Sequence, residues 1–199
     1  MINYEAGRAF ALSSLSQSQL HNDIAWREWI DGLITNLKKP IMPPNPVPVA
    51  KQVIIYTDGS CLGNPGNGGY SAILTLGEHR REISGGEPET TNNRMELMGV
   101  ISALEALKKP AVVVVHTDST YVKTNYPRLT KWATNGWVTS TKEPVANTDL
   151  WQRLQKAVEE HCVTITFEKV KGHSGHPENE RCDKLARQAA MSLSGEANE

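Results

Sequence analysis

Two aspartates follow similar apolar stretches of the sequence, and they are the residues best placed to do chemistry. Residues 53–57 form a β-favouring run that leads into Asp58, and a glycine comes next. Residues 111–117 repeat the pattern with a valine-rich run before Asp118. A short apolar run that ends in a turn signal is typical of a buried strand. A lone Asp-Gly is explained better by a turn, but the recurrence favours two functional carboxylates.

Two neighbouring strands that end in aspartates would place both carboxylates at one edge of a sheet. Like charges that lie this close lose their protons unequally or share a cation. Sites built only from carboxylate oxygens suit hard cations such as Mg²⁺ or Mn²⁺. Asp58 and Asp118 therefore predict a hard-metal site at the sheet edge.

A third acidic residue, Glu96, lies near the start of a predicted helix. Thr91 or Asn92 is a suitable N-cap for this helix, and Pro110 ends the helical pattern. Acidic residues are favoured near any helix N-terminus, so a structural role is a good alternative. The functional interpretation is that this helix end packs over the sheet edge and adds a third carboxylate to the site.

The segment 171–183 contains two histidines and a fourth acidic candidate, Asp183. His173 and His176 could be a zinc pair, but no third ligand follows at zinc-finger spacing. Two glycines in this loop predict mobility. An acid/base role for His173, beside Asp183 in the first turn of a helix over 180–193, is the better interpretation.

The remaining pattern predicts the elements that position these residues. Strands are expected first, followed by alternating helices and strands, which indicates an α/β fold with a mixed five-stranded sheet flanked by helices. The expected strands lie at 53–58, 70–76, near 80–84, at 111–118 and at 163–170, with a glycine-rich turn over 59–69.

The first fifty residues differ in pattern from the rest. Apolar residues at near-helical spacing predict one amphipathic helix over about 18–38, within an N-terminal extension of 1–39. A proline-rich linker follows at 40–50, and the main domain is expected over 51–195. The extension is too short to form a core alone, so it must pack on the main domain or on a protein partner.

Composition limits the classes of protein to which the chain can belong. The 199 residues have a net charge of −1, which gives no global sign of nucleic-acid binding. The three cysteines (Cys61, Cys162 and Cys182) form no Cys-x-x-Cys pair, which argues against disulfides and structural zinc and favours a reduced, cytoplasmic setting. There is no apolar run of transmembrane length and no signal-peptide pattern, so no membrane association is expected. A monomer is expected.

Four motifs, around Asp58, Glu96, Asp118 and the His173 loop, follow one another along the chain. Together they resemble the motifs of bacterial type I ribonuclease H, over roughly residues 51–193. Each motif alone is a weak signal, but a chance match to all four in the right order is improbable. The resemblance implies a ribonuclease H-like fold and an endonuclease that cuts the RNA strand of RNA–DNA hybrids, leaving 3′-hydroxyl and 5′-phosphate ends. The motifs begin Thr57-Asp58-Gly59-Ser60, Thr90-Thr91-Asn92-Asn93, Thr117-Asp118-Ser119 and Val170-Lys171-Gly172-His173.

The same resemblance implies the roles of the site residues. Asp58, Glu96, Asp118 and Asp183 match the family's metal-binding carboxylates, which hold two Mg²⁺ ions, with Mn²⁺ as a substitute. Asp58 would be the shared ligand. His173 matches the family's mobile histidine, which would assist proton transfer or product departure.

Substrate-binding residues are also implied by the resemblance. Asn64, Asn92 and Gln152 match minor-groove contacts with Cys61 and Asn93 beside them, and Thr91 matches a contact with a DNA phosphate. Hydrogen bonds to 2′-hydroxyls across the minor groove distinguish RNA from DNA without reading sequence. Trp132 and Trp151 would flank the DNA strand, or would simply fill the core.

The sequence departs from the family in the segment after Asp118. The family often has a strongly basic protrusion here, whereas the cations between Ser119 and Asp149 are Lys123, Arg128, Lys131 and Lys142. Integrases, transposases and junction resolvases share the clustered acids, but the glycine-rich segment and the His173 loop favour the ribonuclease. A non-catalytic binding module would be expected to have lost an acid, and all four are present.

Overall fold

A mixed sheet organises the part of the chain that the computed structural model describes, residues 52–172 and 175–194. Its strand order is β3-β2-β1-β4-β5. β1 pairs antiparallel with β2, and β2 with β3, whereas β1–β4 and β4–β5 are parallel. The predicted α/β fold with a mixed five-stranded sheet is confirmed. The strands are β1 (Val53–Gly63), β2 (Gly66–Leu76), β3 (His79–Thr90), β4 (Ala111–Thr117) and β5 (Cys162–Lys169).

Helices cover both faces of this sheet. Successive strand residues point to opposite faces. Ile55 packs into the core with residues of α1, while the ring of Tyr56 contacts that of His176, just before α5, with the centroids 4.9 Å apart. The helices α1 and α5 therefore lie on opposite sides of β1. The helices are α1 (Asn92–Glu105), α2 (Thr120–Asn125), α3 (Leu129–Thr134), α4 (Thr148–His161) and α5 (Pro177–Ser192), with a 3₁₀ turn at Tyr126–Arg128.

The glycine-rich segment is mostly strand, so the predicted turn over 59–69 is wrong. β1 continues to Gly63 and β2 begins at Gly66, with only two residues between them. Several of these glycines instead allow close packing. A β-carbon on Gly69 would lie 2.0 Å from the carbonyl oxygen of Ala186 in α5. The glycines of this segment therefore indicate close contact between a helix and the sheet rather than a loop.

The last helix begins earlier than predicted. α5 starts at Pro177 rather than at residue 180, because proline's fixed φ suits the first helical position, where its missing N–H is not needed. Asp183 consequently lies in the second turn, and the prediction of the first turn is wrong. The predicted helix over 18–38 and the predicted linker at 40–50 lie outside the described residues. Within those residues, no helix is long and apolar enough to cross a membrane.

Candidate metal centre

The parallel pairing of β1 and β4 brings the two predicted aspartates together. Thr57 pairs with Thr117 in the parallel ladder. Asp58 and Asp118 are the next residues on each chain, so both leave the ladder at the same edge. Asp58 is still within β1, opposite Ser71 of β2, while Asp118 comes directly after β4. The register of one strand pair thus determines the position of both carboxylates.

Glu96 reaches the same edge because α1 lies directly against β1. A β-carbon on Gly59 would lie 2.3 Å from the backbone nitrogen of Glu96, so no larger residue fits between the strand and this turn of the helix. Further along α1, a β-carbon on Gly99 would lie 2.9 Å from the carbonyl oxygen of Ser71. Two glycines, one on each element, therefore allow the approach that places Glu96 beside Asp58.

Asp58, Glu96 and Asp118 form a compact acidic cluster. Each offers a carboxylate oxygen, and these oxygens lie within 4.8 Å of one another. Asp58 and Glu96 are 7% and 6% exposed, and Asp118 is half-buried. Oε1 of Glu96 accepts a hydrogen bond from Nδ2 of Asn92 at 3.4 Å, but its buried Oε2 has no partner among the described residues.

Burial and mutual repulsion disfavour negative charge in this cluster. Burial, with the charges of Asp118 and Asp183, raises the pKa of Asp58 to about 7. Burial, with the charges of Asp58 and Asp118, raises the pKa of Glu96 well above its ordinary value. A buried carboxylate oxygen without a partner is costly unless a proton or a cation satisfies it. The oxygen-only donors and the unpaired Oε2 fit a hard divalent cation.

Asp183 lies near this cluster but outside its tightest group. Its negative charge contributes to the raised pKa of Asp58, so the two carboxylates are close enough to repel each other. Its Oδ1 accepts a hydrogen bond from Nε of Arg187 at 2.8 Å, one helical turn along α5. The structure therefore brings three of the four predicted metal ligands together and leaves the fourth paired with an arginine.

The loop that contains His173 approaches the cluster, although His173 itself lies outside the described residues. A β-carbon on Gly172 would lie 2.6 Å from Oδ2 of Asp118. A cavity of about 460 Å³ beside Asp118 is lined by Lys169, Val170, Lys171 and Gly172. The second histidine of the loop, His176, packs against the ring of Tyr56 at a tilt, and its Nδ1 lies 3.3 Å from Oε2 of Glu178. His176 is not among the residues of the possible metal-ligand cluster in the described part of the chain.

Several predicted substrate-binding residues lie around the start of α1. Oδ1 of Asn64, between β1 and β2, accepts a hydrogen bond from the backbone nitrogen of Asn92 at 3.2 Å. Asn93 is exposed beside it, and Thr91 is the N-cap residue of α1. Gln152 is exposed on α4. The Sγ of Cys61 donates to the carbonyl oxygen of Thr90 at 3.4 Å, which holds the hairpin to the segment before α1.

The two tryptophans pack mainly within the protein. Trp151 has no exposed surface, and its Nε1 donates to the hydroxyl of Tyr121 at 3.2 Å. Trp132 is half-buried and meets Trp151 edge to face, with ring centroids 5.5 Å apart. A side chain with no exposed surface cannot touch a nucleic acid, so for Trp151 the core-filling alternative describes the structure. Trp132 retains an exposed part.

One contact near the site was missed from the sequence. The guanidinium of Arg94 binds both carboxylate oxygens of Asp149, with Nη1–Oδ1 3.0 Å and Nη2–Oδ2 2.8 Å. The partners are far apart in sequence, and only their opposite charges could have suggested the pair.

Comparison with known proteins connects this site to characterised enzymes. A family model described as RNase H matches residues 50–191. The ribonuclease H of Yersinia pestis (strain Pestoides F) is 57% identical over 145 residues, which cover 72% of this chain and 93% of that protein. A Yersinia pestis protein named ribonuclease HI matches to the same extent.

Solved structures agree with the sequence match. LC9-RNase H1, described as a type 1 RNase H with the type 2 active-site motif, has a TM-score of 0.64 at 34% identity, covering 72% of this chain and 74% of its own. LC11-RNase H1, crystallised with an RNA/DNA hybrid, has a TM-score of 0.55 at 27% identity, covering 71% and 99% respectively. These neighbours confirm the fold that the four motifs implied.

Proposed function

Because the chain belongs to the ribonuclease H family, we propose that it is an endoribonuclease that hydrolyses the RNA strand of RNA–DNA hybrids. The observation that supports this most strongly is the buried cluster of Asp58, Glu96 and Asp118, whose oxygens lie within 4.8 Å of one another. The unpaired Oε2 of Glu96 leaves a ligand position for a cation. The solved complex of the related LC11-RNase H1 with an RNA/DNA hybrid supports the substrate.

The ions that fit this donor set best are Mg²⁺, with Mn²⁺ as a substitute. Asp58, Glu96 and Asp118 would hold them, with Asp183 as a fourth ligand after release from Arg187. With cations held by these carboxylates, the site would supply an activated water and a counter-charge for the leaving 3′-oxygen of the RNA. Hydrolysis then leaves 3′-hydroxyl and 5′-phosphate ends.

The protein's own residues position the substrate and move protons. Asp58 would be the shared ligand, and the charges of both Asp118 and Asp183 acting on its carboxylate support this role. His173 would take up or deliver a proton at its imidazole, or assist product departure. Gly172, packed against Asp118, sets where the loop with His173 leaves the sheet edge.

Recognition of the hybrid is proposed to use the polar groups around the start of α1. Asn64, Asn92, Asn93 and Gln152 would hydrogen-bond to 2′-hydroxyls and base edges across the minor groove, and Thr91 would contact a DNA phosphate. Cys61 supports the hairpin beside them through its bond to Thr90. Trp132 is the aromatic residue that would flank the DNA strand.

Other properties remain predictions from the sequence. These are a cytoplasmic location, a monomeric state, and a packing or partner-binding role for the N-terminal extension.

The decisive experiment compares four labelled duplexes of one sequence. They are RNA–DNA, DNA–DNA, RNA–RNA, and a DNA duplex in which one strand contains one continuous run of several ribonucleotides. We expect cleavage of the RNA in the first and last, only with Mg²⁺ or Mn²⁺, and none with EDTA. Product ends should accept ligation at the 5′-phosphate without prior phosphorylation. Cleavage of DNA–DNA at a comparable rate would instead favour the integrase and resolvase class.

A further inference from the structure

Arg94 and Asp149 form a bidentate ion pair between α1 and α4. Arg94 is the third residue of α1, and Asp149 is the second residue of α4. The two N–O distances are 3.0 and 2.8 Å, so a planar guanidinium faces a planar carboxylate. Such a paired geometry fixes orientation as well as distance. The pair therefore restricts the orientation of the starts of α1 and α4, whose overall packing comes from the apolar core.

Each of these helix starts bears residues proposed to touch the hybrid. Asn92 and Asn93 precede Arg94 on α1, and the backbone nitrogen of Asn92 is bonded to Oδ1 of Asn64. Gln152 lies three residues after Asp149, so it is on the same side of α4. The groove contacts thus come from separate elements, and the described polar contact that ties α1 to α4 at this end is the Arg94–Asp149 pair.

A second ion pair joins the same two helices at the other end of α1. Arg153 of α4 binds Glu105, the last residue of α1, with Nε–Oε1 2.7 Å and Nη2–Oε2 2.8 Å. This pair is also bidentate, although Arg153 binds through Nε and Nη2 where Arg94 binds through both Nη atoms. Its side chains are 45% and 38% exposed, against 29% and 59% for Arg94 and Asp149. Glu105 lies nine residues beyond Glu96, which is about 14 Å along the helix.

We propose that Arg94 and Asp149 are positioning residues for hybrid recognition, and that they hold Asn93 and Gln152 at the separation that the minor groove requires. This inference rests on the proposed function. A purely stabilising role would make the two ion pairs equivalent, since exposed pairs contribute little to stability wherever they lie. Direct phosphate binding by Arg94 is disfavoured, because both of its terminal nitrogens already bind Asp149.

The test compares Asp149→Asn with the matched control Glu105→Gln. Each change removes one carboxylate charge from one of the two pairs and leaves the arginine in place. For Asp149→Asn we expect the KM for hybrid to rise about tenfold, the equivalent of one hydrogen bond to a charged group, with kcat nearly unchanged. For Glu105→Gln we expect the KM and kcat to remain within about twofold of the wild-type values, because an exposed ion pair contributes little free energy. Thermal melting and circular dichroism report whether each variant is folded.

Two further variants separate positioning from direct contact. The double swap Arg94→Asp/Asp149→Arg restores an ion pair with the charges exchanged, and should recover most of the lost affinity. If Asp149→Asn leaves the KM unchanged while Arg94→Gln raises it and the swap does not recover it, Arg94 is a phosphate contact and the proposal is wrong. If Glu105→Gln raises the KM as much as Asp149→Asn, the pairs are equivalent and the proposal is also wrong.

Activity of the wild-type protein distinguishes failure of the positioning proposal from failure of the proposed function. If wild type cleaves no hybrid in Mg²⁺, the proposed function fails whatever the variants do. If wild type cleaves hybrid and Asp149→Asn is folded with an unchanged KM, only the positioning proposal fails. Should Asp149→Asn not fold, Asp149→Glu retains the charge but alters the reach, and we expect it to raise the KM in the same direction.

Discussion

The backbone of Glu96 lies against Gly59 so closely that a β-carbon on the glycine would be 2.3 Å from the glutamate's amide nitrogen. Gly59 follows Asp58 directly in β1. The glycine therefore determines how near the helix that bears Glu96 can come to the strand that bears Asp58. Separation of α1 from β1 by even one methyl group would pull Glu96 away from the cluster.

Replacement of Gly59 by alanine should therefore damage both stability and activity. The new methyl group would clash with the backbone of Met95 and Glu96, which cannot rotate away. Overpacking of this kind typically costs about 1–3 kcal/mol. We expect a lower melting temperature and a much reduced kcat. Gly77→Ala is the control, because its β-carbon would meet nothing within 4 Å although its φ is +60°; it should lose stability but keep kcat.

Asp58→Asn should abolish cleavage while the fold is retained. The amide is close to the carboxylate in shape but has no charge with which to hold two cations. We expect turnover in Mg²⁺ to fall below detection, with an unchanged circular dichroism spectrum. Glu105→Gln provides a charge-matched comparison, because it removes one carboxylate outside the cluster. Turnover near wild type in folded Asp58→Asn would show that the cluster is not the active site.

The metal-free protein should lose stability as pH rises from about 4 to about 7. Folded Asp58 has a pKa of about 7, against 3.8 for the ordinary side chain, so the folded state binds more protons in this range. Stability then falls with increasing pH, by at most about 1.4 kcal/mol per pH unit for one proton. The raised pKa of Glu96 adds a change of the same sign. Urea unfolding in EDTA across this range measures the slope.

The same measurement on Asp58→Asn provides the control. The variant has no carboxyl to titrate at this position, and it also removes part of the repulsion on Glu96. The decline in stability should become shallower, and near pH 7 the metal-free variant should be more stable than wild type. A wild-type stability that rises through this range would contradict the raised pKa values.

Magnesium should stabilise the folded protein. Its ligands come from separate elements, so the unfolded chain cannot assemble the site. At 100 times the dissociation constant, binding adds about 2.7 kcal/mol. For a chain of this size each kcal/mol raises the melting temperature by roughly 2–4 °C. We expect this increase for wild type and for Glu105→Gln, and a much smaller one for Asp58→Asn. An equal increase in all three would indicate binding elsewhere.

His173→Ala should slow turnover without abolishing it. A general acid–base group typically contributes about 10²–10⁴-fold, and the carboxylate cluster is left intact. The exposed His79 at the start of β3 supplies the matched control, and His79→Ala should be neutral. Magnesium-dependent melting of the His173 variant should equal that of wild type. Loss of that shift would make His173 a metal ligand instead.

The sequence predicts those parts of the site that depend on local pattern. Asp58 and Asp118 follow strands whose apolar runs are visible in the sequence, and Glu96 follows a recognisable helix start. Parallel pairing of adjacent strands then places the aspartates side by side. What fails is the interpretation of glycine. Turns and close helix–sheet contacts both favour this residue, and only the tertiary structure shows that Gly59 and Gly69 serve the second purpose.

Side-chain pairing between distant segments is also hidden in the sequence. Asp183 could be assigned to the site from the motif, but its ion pair with Arg187 depends on where α5 begins, and that start is at Pro177. The Arg94–Asp149 pair depends on the packing of α1 against α4. Trp151 could be exposed or buried at its position in the pattern, and its burial follows from contacts with Tyr121 and Trp132.

The pairing of β1 with β4 affects the order in which the protein folds during its synthesis. The first three strands are consecutive in the chain and can form as local hairpins, but Val53 pairs with Val113, across a much longer closed loop. Long loops close late in folding, because chain entropy is lost before the non-local contacts form that stabilise the closed loop. A nascent chain that has reached only the end of α1 already holds Asp58 and Glu96, yet Asp118 is still missing. The cluster of Asp58, Glu96 and Asp118 can therefore assemble only after β4 has left the ribosome and paired with β1.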